Sequence, residues 1–288
     1  RFKAIKLLSE VGLPLLAVLC VIAVWKTSSM ISFSDIWNAG PVSTPITIPM
    51  GVAAVVGSFA VGVTMVGDFS RFSKSKRDCM IGVSIGHCWG YIPILMCGAF
   101  FNYAFHNWNI VEIMILSLGL GLFGALVLII GQWTTNDNNL YTSVLGLMNT
   151  LDGISKVPRM RLTLIVGLIS TAIAAVGLYK YFVTFLSLLG VFITPIGGIL
   201  IADFYICNRK NYDGGDVPQG IKWDAIVSWA VASFVGVTMT ARPVGLGWFV
   251  AVGDVIPVPL ICIAVAMVLY VVSQKLQNRK LQNKAGAV

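Results

Sequence analysis

The apolar runs of this chain constrain its fold more than any other feature of the sequence. A helix of about 20 apolar residues crosses the ~30 Å hydrocarbon core of a bilayer. None of the runs alternates polar and apolar residues with the period of two that a membrane β-barrel requires. They predict an all-α polytopic membrane protein with about eight transmembrane helices. The eight stretches are Leu7–Val24, Ile46–Gly67, Met80–Phe101, Val111–Trp133, Leu162–Leu178, Phe182–Cys207, Trp223–Thr240 and Val255–Val272.

The composition excludes the other broad classes of protein. Hydrophobic residues make up 57% of the chain and charged residues only 11%, whereas charged residues are about a quarter of a soluble domain. So much apolar surface also excludes a disordered chain. Six cysteines without a C-x-x-C pair exclude a small disulfide scaffold. The chain begins at Arg1 with no signal-peptide pattern, so we expect it to lack the N-terminal part of a longer protein.

The basic residues predict the orientation in the membrane. With eight spans both ends lie on one side, and that side carries all but three of the 20 Lys and Arg residues, the exceptions being Lys26, Lys180 and Arg242. Since cytoplasmic loops are enriched in Lys and Arg, both ends are predicted to be cytoplasmic, with residues 274–288 as a basic tail. Basic loops facing an anionic inner leaflet explain the net charge of +8 without a nucleic-acid partner.

The second apolar stretch contains residues that weaken a helix. Pro49 and three glycines, Gly51, Gly57 and Gly62, lie within it. A break near Gly57–Ser58 would expose backbone polar groups, which a membrane tolerates only where they line a cavity or meet a substrate. The alternative is a face of small residues that packs against another helix.

A polar run, Gln132–Asn139, follows the fourth apolar stretch. Seven of its eight side chains are polar, and the apolar segment Leu140–Leu151 comes next. A loop is one interpretation, and polar contacts between helices are another. If the helix continues, the run lies inside the membrane. There the hydroxyls of Thr134 and Thr135 suit a small hard cation, and the Asn136 amide, a donor and an acceptor, suits a neutral polar heterocycle.

The other polar residues give weaker indications of a functional site. Asp203 closes the sixth stretch at the basic side, where pairing with Arg209 is the expected role. The two histidines, His87 and His106, have no second ligand at metal spacing, so we assign no metal site to them.

Three parts of the chain resemble the nucleobase–cation symporter-1 family, most closely its cytosine permeases. Their order and spacing match that family throughout, and Trp-Thr-Thr-Asn-Asp-Asn is the most specific motif. The matching segments are Val55–Phe59 with Gly67–Phe72, Trp133–Tyr141, and Pro195–Gly198 with Ile201–Phe204 and Asn208–Arg209.

The resemblance implies a twelve-helix inverted-repeat fold of the leucine-transporter type, whose site lies between two five-helix repeats. The eight stretches would then be family helices 5 to 12 of a single transporter domain, residues 1–288, with helices 1 to 4 absent. The second repeat would span about residues 46–207, and the last two helices about 223–272.

The resemblance also implies which residues bind the base. Ser58 and Phe59 match the unwound part of family helix 6, where side chain and backbone hydrogen-bond the base. Asn136 matches the helix 8 amide that contacts the base edge. The family expects a further base-contacting Ser three residues after Ser58, whereas this chain has Val61.

For sodium, the resemblance implies the Gly131 carbonyl and the hydroxyls of Thr134 and Thr135 as ligands. Cytosine permeases can carry Asn at the Gly131 position, a change that a backbone ligand tolerates. In the family, helix 1 supplies the other sodium ligands and helix 3 an aromatic side chain that stacks on the base. We therefore expect that these 288 residues alone do not transport.

The sequence thus predicts a secondary active transporter, not an enzyme, that imports cytosine or a related nucleobase by sodium symport through alternating access. We expect a monomer in the plasma (inner) membrane with no cofactor besides the co-transported sodium. One alternative is a carrier of the same family for uracil, allantoin or a hydantoin. Proton coupling in that carrier would need a buried carboxylate, and Asp137 is the one candidate. Another alternative is a structural membrane subunit. An intramembrane prenyltransferase is disfavoured, because Asn136–Asn139 has one Asp and no acidic partner four residues on.

Overall fold

The computed structural model describes residues 2–40, 47–107, 109–151, 157–177, 181–207 and 220–285. Within these ranges the chain is helical and contains no strand. In chain order the elements are α1 (Phe2–Ser28), α2 (Phe33–Trp37), α3 (Ile48–Phe59), α4 (Gly62–Ser70), α5 (Lys76–Ile85), the π-helical segment π1 (Gly86–Tyr91), α6 (Ile92–Phe105), α7 (Ile110–Glu112), π2 (Ile113–Ser117), α8 (Gly121–Leu151), α9 (Arg159–Ala175), α10 (Phe182–Phe192), α11 (Thr194–Ala202), π3 (Asp203–Cys207), α12 (Trp223–Met239), α13 (Val250–Gly253) and α14 (Val258–Ala285).

The helices confirm the predicted class, an all-α polytopic membrane protein. Five described helical stretches are long and apolar enough to cross a bilayer, and α12, with 17 residues, is a shorter apolar helix. Their outward side chains are apolar, which is costly in water and favourable in lipid. The five stretches are Glu10–Ser28, Ile48–Asp68, Lys76–Phe105, Thr184–Cys207 and Val258–Arg279.

The predicted limits of the fourth span, Val111–Trp133, are wrong. The first helical segment of this region ends at Ser117, and α8 begins at Gly121 and continues to Leu151. Between them the backbone adopts positive φ at Gly119 (62°) and at Gly121 (50°), a region that glycine enters without a Cβ clash. The glycines therefore end one helix and start the next within the apolar stretch.

The described chain divides into two compact units, each made of two separated segments. The first comprises Arg1–Pro45 and Phe72–Val176, and the second comprises Ile46–Arg71 and Gly177–Val288. The first unit therefore contains α1, α2 and α5 to α9. The second contains α3, α4 and α10 to α14.

In the first unit, α1 packs against α6 and α8. At its end, Lys26 Nζ donates to the Leu118 carbonyl at 2.7 Å, which ties α1 to the turn that precedes α8. The packed interior is apolar, and its buried members are Leu19, Ala23, Phe100, Phe101, Ile113, Met114, Leu118 and Val127.

In the second unit, glycines allow close helix packing. Gly57 of α3 lies against α10, where an added Cβ would overlap the Leu186 carbonyl and where the Cβ position of Gly190 is 3.5 Å from Gly57 Cα. Gly198 of α11 approaches α14 so closely that a Cβ would lie 2.6 Å from the Ile263 carbonyl oxygen. The small-residue packing face considered for the second stretch is therefore present at Gly57.

Asp203, at the start of π3, is buried and hydrogen-bonded. It is 5% exposed; Tyr270 OH of α14 donates to it at 2.5 Å, and Lys222 Nζ lies 3.3 Å from its carboxylate. Its expected partner, Arg209, lies outside the described residues. The structure pairs the buried Asp203 charge with Lys222, which directly precedes α12, and with Tyr270 of α14. These contacts connect π3 to both helices.

Candidate functional site

The polar run lies inside one unbroken helix. Helix α8 has 31 residues, which corresponds to about 46 Å, well over the ~30 Å of a hydrocarbon core. Asn136 is fifteen residues from either end of α8. The continuous-helix interpretation of Gln132–Asn139 is therefore confirmed, and the loop interpretation is wrong.

One face of α8 carries exposed polar side chains through its centre. Gln132, Thr135, Asn136, Asn139 and Ser143 follow the helical spacing i, i+3, i+4, i+7 and i+11, and all five are exposed. In the part of the chain that the structure describes, the three amides on this face have no hydrogen-bond partner. Because unpaired polar groups are costly in lipid, this polar face requires water, a ligand or protein against it.

Two members of the polar face, Gln132 and Asn139, were not among the predicted site residues. The signal that identifies them is their spacing from Asn136, four residues before it and three after it. That spacing has meaning only once the segment is known to be helical.

The three predicted sodium ligands meet within one helical turn. The Gly131 carbonyl accepts a hydrogen bond from Thr134 Oγ1 at 2.7 Å and from Thr135 Oγ1 at 3.3 Å. Two oxygens at right angles around a cation held at about 2.4 Å are about 3.4 Å apart. The observed hydroxyl–carbonyl distances are slightly shorter than this, because the hydroxyls donate hydrogen bonds to the carbonyl. A small outward shift of the two hydroxyls would bring the oxygens to the spacing of cation ligands.

Paired hydroxyl bonds of this kind occur twice on α8, since the Asn139 carbonyl likewise accepts from Thr142 Oγ1 at 3.1 Å and from Ser143 Oγ at 2.7 Å. Thr163 and Thr171 of α9 each donate to one carbonyl four residues earlier, a common local bond. At Gly131 two hydroxyls converge on one carbonyl. Helix α1 covers one flank of this turn, since a Cβ at Gly12 would lie 3.6 Å from Thr134 Cγ2.

Asp137 does not belong to the polar face. It follows Asn136 directly, so its side chain leaves the helix about 100° away, and it is half-buried whereas Asn136 is exposed. A carboxylate in that direction does not share the environment of the exposed amides.

The second predicted stretch is interrupted where α3 ends at Phe59 and α4 begins at Gly62. Ala60 N bonds the Gly57 carbonyl at 3.3 Å and Val63 N bonds the Ala60 carbonyl at 3.1 Å, which are three-residue steps. The break therefore lies after Ser58, and its backbone tightens where unwinding was expected. Ala60 keeps right-handed helical angles (φ −54°, ψ −39°), since no proline or glycine lies between Gly57 and Gly62.

Ser58 and Phe59 form the last turn of α3. Ser58 Oγ donates to the Val55 carbonyl at 2.7 Å, and both residues are exposed. The Phe59 ring lies over Gly62, where any Cβ would overlap it. These two residues belong to the second unit, whereas Gly131, Thr134, Thr135 and Asn136 belong to the first.

Comparison with known proteins gives one consistent result. The family model described as permease for cytosine/purines, uracil, thiamine, allantoin matches residues 2–261. Cytosine permeases of Escherichia coli strain K12 and of Escherichia coli O157:H7 are each 32% identical to this chain over 235 residues, which cover 81% of the chain and 54% of the relative. The chain therefore spans about half the length of the curated relatives it matches.

Proposed function

Because this chain belongs to the family of permeases for cytosine/purines, uracil, thiamine and allantoin, we propose that it serves the import of cytosine or a related nucleobase across a membrane. The transport is secondary active, by sodium symport through alternating access. The observation that carries the proposal is the exposed polar face at the centre of α8, a membrane-length helix.

The amides of this face suit a nucleobase. A nucleobase is neutral, with hydrogen-bond donors and acceptors along its edges, and an amide offers both. A charged side chain would lose solvation without gaining a charged partner. Asn136 is the central base-binding residue, with Gln132 and Asn139 beside it on the same face. Ser58 and Phe59 bind the base in the roles that the family resemblance implies.

The oxygens of Gly131, Thr134 and Thr135 suit the co-transported sodium ion. Hard cations take oxygen ligands, and the two hydroxyl oxygens lie 2.7 Å and 3.3 Å from the Gly131 carbonyl oxygen. They supply part of a coordination shell. The remaining ligands come from other parts of the whole protein.

Coupling of the two substrates follows from adjacency in the chain. Thr135 and Asn136 are consecutive residues of one helix, so a shift of the Thr135 hydroxyl towards sodium also adjusts the Asn136 backbone. Such coupling is reciprocal and typically amounts to about 1–3 kcal/mol. It drives transport only if each ligand distinguishes the outward-open state from the inward-open state.

Uracil, allantoin or a hydantoin is the second candidate substrate. The residue that favours this alternative is Val61, half-buried at the α3–α4 turn, where the resemblance expects a hydroxyl. Proton coupling has less support, because Asp137 points away from the polar face. We also propose that the protein is a monomer of the plasma (inner) membrane with both ends of this chain in the cytoplasm.

The decisive experiment measures uptake of radiolabelled cytosine, with and without sodium, in cells that lack their own cytosine permease. The gene is expressed with all of its coding sequence. We expect sodium-stimulated uptake. Asn136→Ala lowers it about tenfold or more, as the loss of the proposed hydrogen bonds to the base would, and Thr135→Ala weakens its sodium dependence. Thr171→Ala is the matched control, since it removes a hydroxyl bonded to a glycine carbonyl on α9.

The outcomes separate the alternatives. Normal sodium dependence in Thr135→Ala would show that the ion assignment is wrong. Good expression without cytosine uptake, together with uptake of uracil, allantoin or a hydantoin, would move the substrate to that compound. Uptake driven by a proton gradient and insensitive to sodium would refute sodium symport.

A further inference from the structure

A cavity of about 290 Å³ lies within the second unit, where several helix ends meet. Its walls come from the first two turns of α3, from α10, from the segment between α12 and α14, and from the first turn of α14. Eleven of its fifteen lining residues are apolar, so its interior suits an apolar group. None of the residues proposed to bind base or sodium lines it.

We infer that the cavity lies at the depth where hydrocarbon meets headgroups. Met239, the last residue of α12, and Val258, the first of α14, both line it. The connecting segment carries Trp248 and Phe249, which are 58% and 55% exposed. Exposed tryptophans are typical of the membrane–water boundary, which places this segment at the interface.

Two opposite charges line the same cavity. Arg242 Nε donates to the Leu246 carbonyl at 3.1 Å, but within the described ranges its terminal guanidinium nitrogens have no hydrogen-bond partner. The Asp254 carboxylate, also in the wall, has none there either, and the two groups form no ion pair with each other. At the membrane interface, a guanidinium and a carboxylate that are not paired with each other would bind most strongly to a ligand that carries both an anionic and a cationic group.

We propose that this cavity binds a zwitterionic phospholipid with a primary ammonium headgroup, of the phosphatidylethanolamine class. The lipid phosphate binds Arg242, because a guanidinium fork matches phosphate oxygens. The ammonium group donates to Asp254. The apolar wall takes the start of an acyl chain, since about 290 Å³ is at the small end of ligand sites.

The test uses the purified protein, depleted of lipid in detergent, with added phosphatidylethanolamine, phosphatidylcholine or phosphatidylglycerol. Melting temperature and native mass spectrometry report binding. We expect phosphatidylethanolamine to raise the melting temperature more than the other two lipids do. Phosphatidylcholine has no ammonium N–H to donate, and phosphatidylglycerol has no cation for Asp254.

Variants assign the effect to the cavity. Arg242→Gln and Asp254→Asn should each weaken phosphatidylethanolamine binding about tenfold or more, the usual loss for a charged hydrogen bond. Ala54→Leu should also weaken binding, because its larger side chain would fill part of the cavity. Arg77→Gln and Asp78→Asn, at exposed positions of α5, are the matched controls and should bind as the parent does.

Several results would overturn the proposal: equal stabilisation by all three lipids, undiminished binding by Arg242→Gln or Asp254→Asn, or equal stabilisation by glycerophosphoethanolamine, which has no acyl chains. If Arg242→Gln does not fold, Asp254→Asn decides, because the Asp254 carboxylate makes no hydrogen bond to a described residue that its loss would break.

Discussion

At the scale of single residues, the polar groups of this chain fall into two kinds. Asp203 is buried and bonded to Tyr270 and Lys222, so it stabilises the packing of π3 with α14. Asn136 is exposed at the centre of the polar face of α8 and has no hydrogen-bond partner among the described residues. A polar group of the second kind gives the helix no stability in lipid, which favours a role in binding.

Removing the Asp203 carboxylate tests the first kind. In Asp203→Ala the Tyr270 hydroxyl, in a side chain that is fully buried, loses its acceptor. We expect a loss of about 1–3 kcal/mol in the free energy of unfolding, the cost of one unsatisfied buried donor, measured as a lower melting temperature in detergent. Asp78→Ala, on the exposed surface of α5, should change little. An unchanged melting temperature in Asp203→Ala would refute a stabilising role.

At the scale of elements, the helices of the second unit depend on residues without side chains. Lipid is as apolar as leucine, so helix association in a membrane relies on close packing more than on the hydrophobic effect. Gly57 and Gly198 let α3 and α11 approach the backbones of α10 and α14. The lack of a side chain at these two glycines therefore helps to hold the helices together.

Gly57→Ala should therefore destabilise the protein although alanine is the better helix former. Its Cβ would overlap the Leu186 carbonyl, and we expect a loss of about 1–3 kcal/mol from overpacking. Gly67→Ala is the matched control, since nothing lies within 4 Å of its Cβ position. Thermal unfolding of both variants is the test. Equal melting temperatures would show that the close approach of α3 to α10 at Gly57 does not stabilise the protein.

Helix α8 makes a separate prediction about water. If its polar face lines an aqueous cavity, cysteines at Gln132, Asn136 and Asn139 should react with a membrane-impermeant maleimide, in a protein whose six native cysteines are replaced. Cysteines at Leu122 and Leu126, 75% and 50% exposed on the apolar first half of α8, should react much more slowly. Thiols that face lipid stay protonated, and the impermeant reagent does not reach them. Equal labelling at all five positions would contradict a water-lined face.

At the scale of the whole molecule, the charge pattern predicts topology. The eight spans predicted from the sequence would put both ends of this chain on one side, and the basic residues favour the cytoplasm as that side. A fluorescent protein fused to the C-terminus should fluoresce, and alkaline phosphatase fused after Gly40, between the first two stretches, should be active. A phosphatase-active C-terminus combined with an inactive Gly40 fusion would show the reverse orientation.

Class and spans could be predicted from sequence because they depend on the residues of each segment alone. Whether about 20 residues prefer lipid to water depends on their own composition, and five described stretches are long and apolar enough to cross a bilayer. The polar run was identified for the same reason, since Gln132–Asn139 contrasts with its flanks. The limits of the fourth span could not be predicted in this way, because apolar Leu118 and Leu120 conceal a turn that depends on positive φ at two glycines.

By itself, then, the sequence determined that the chain is a helical membrane protein, and it predicted Thr134, Thr135 and Asn136 as site residues. Only the tertiary structure decided that Gln132 and Asn139 share their helix with Asn136 on one face, and that Lys222 and Tyr270 pair with Asp203. It also decided that Arg242 and Asp254 line one apolar cavity. Composition acts within a segment, whereas these contacts depend on helical phase and on approaches between residues as distant as Asp203 and Tyr270, which no local pattern encodes.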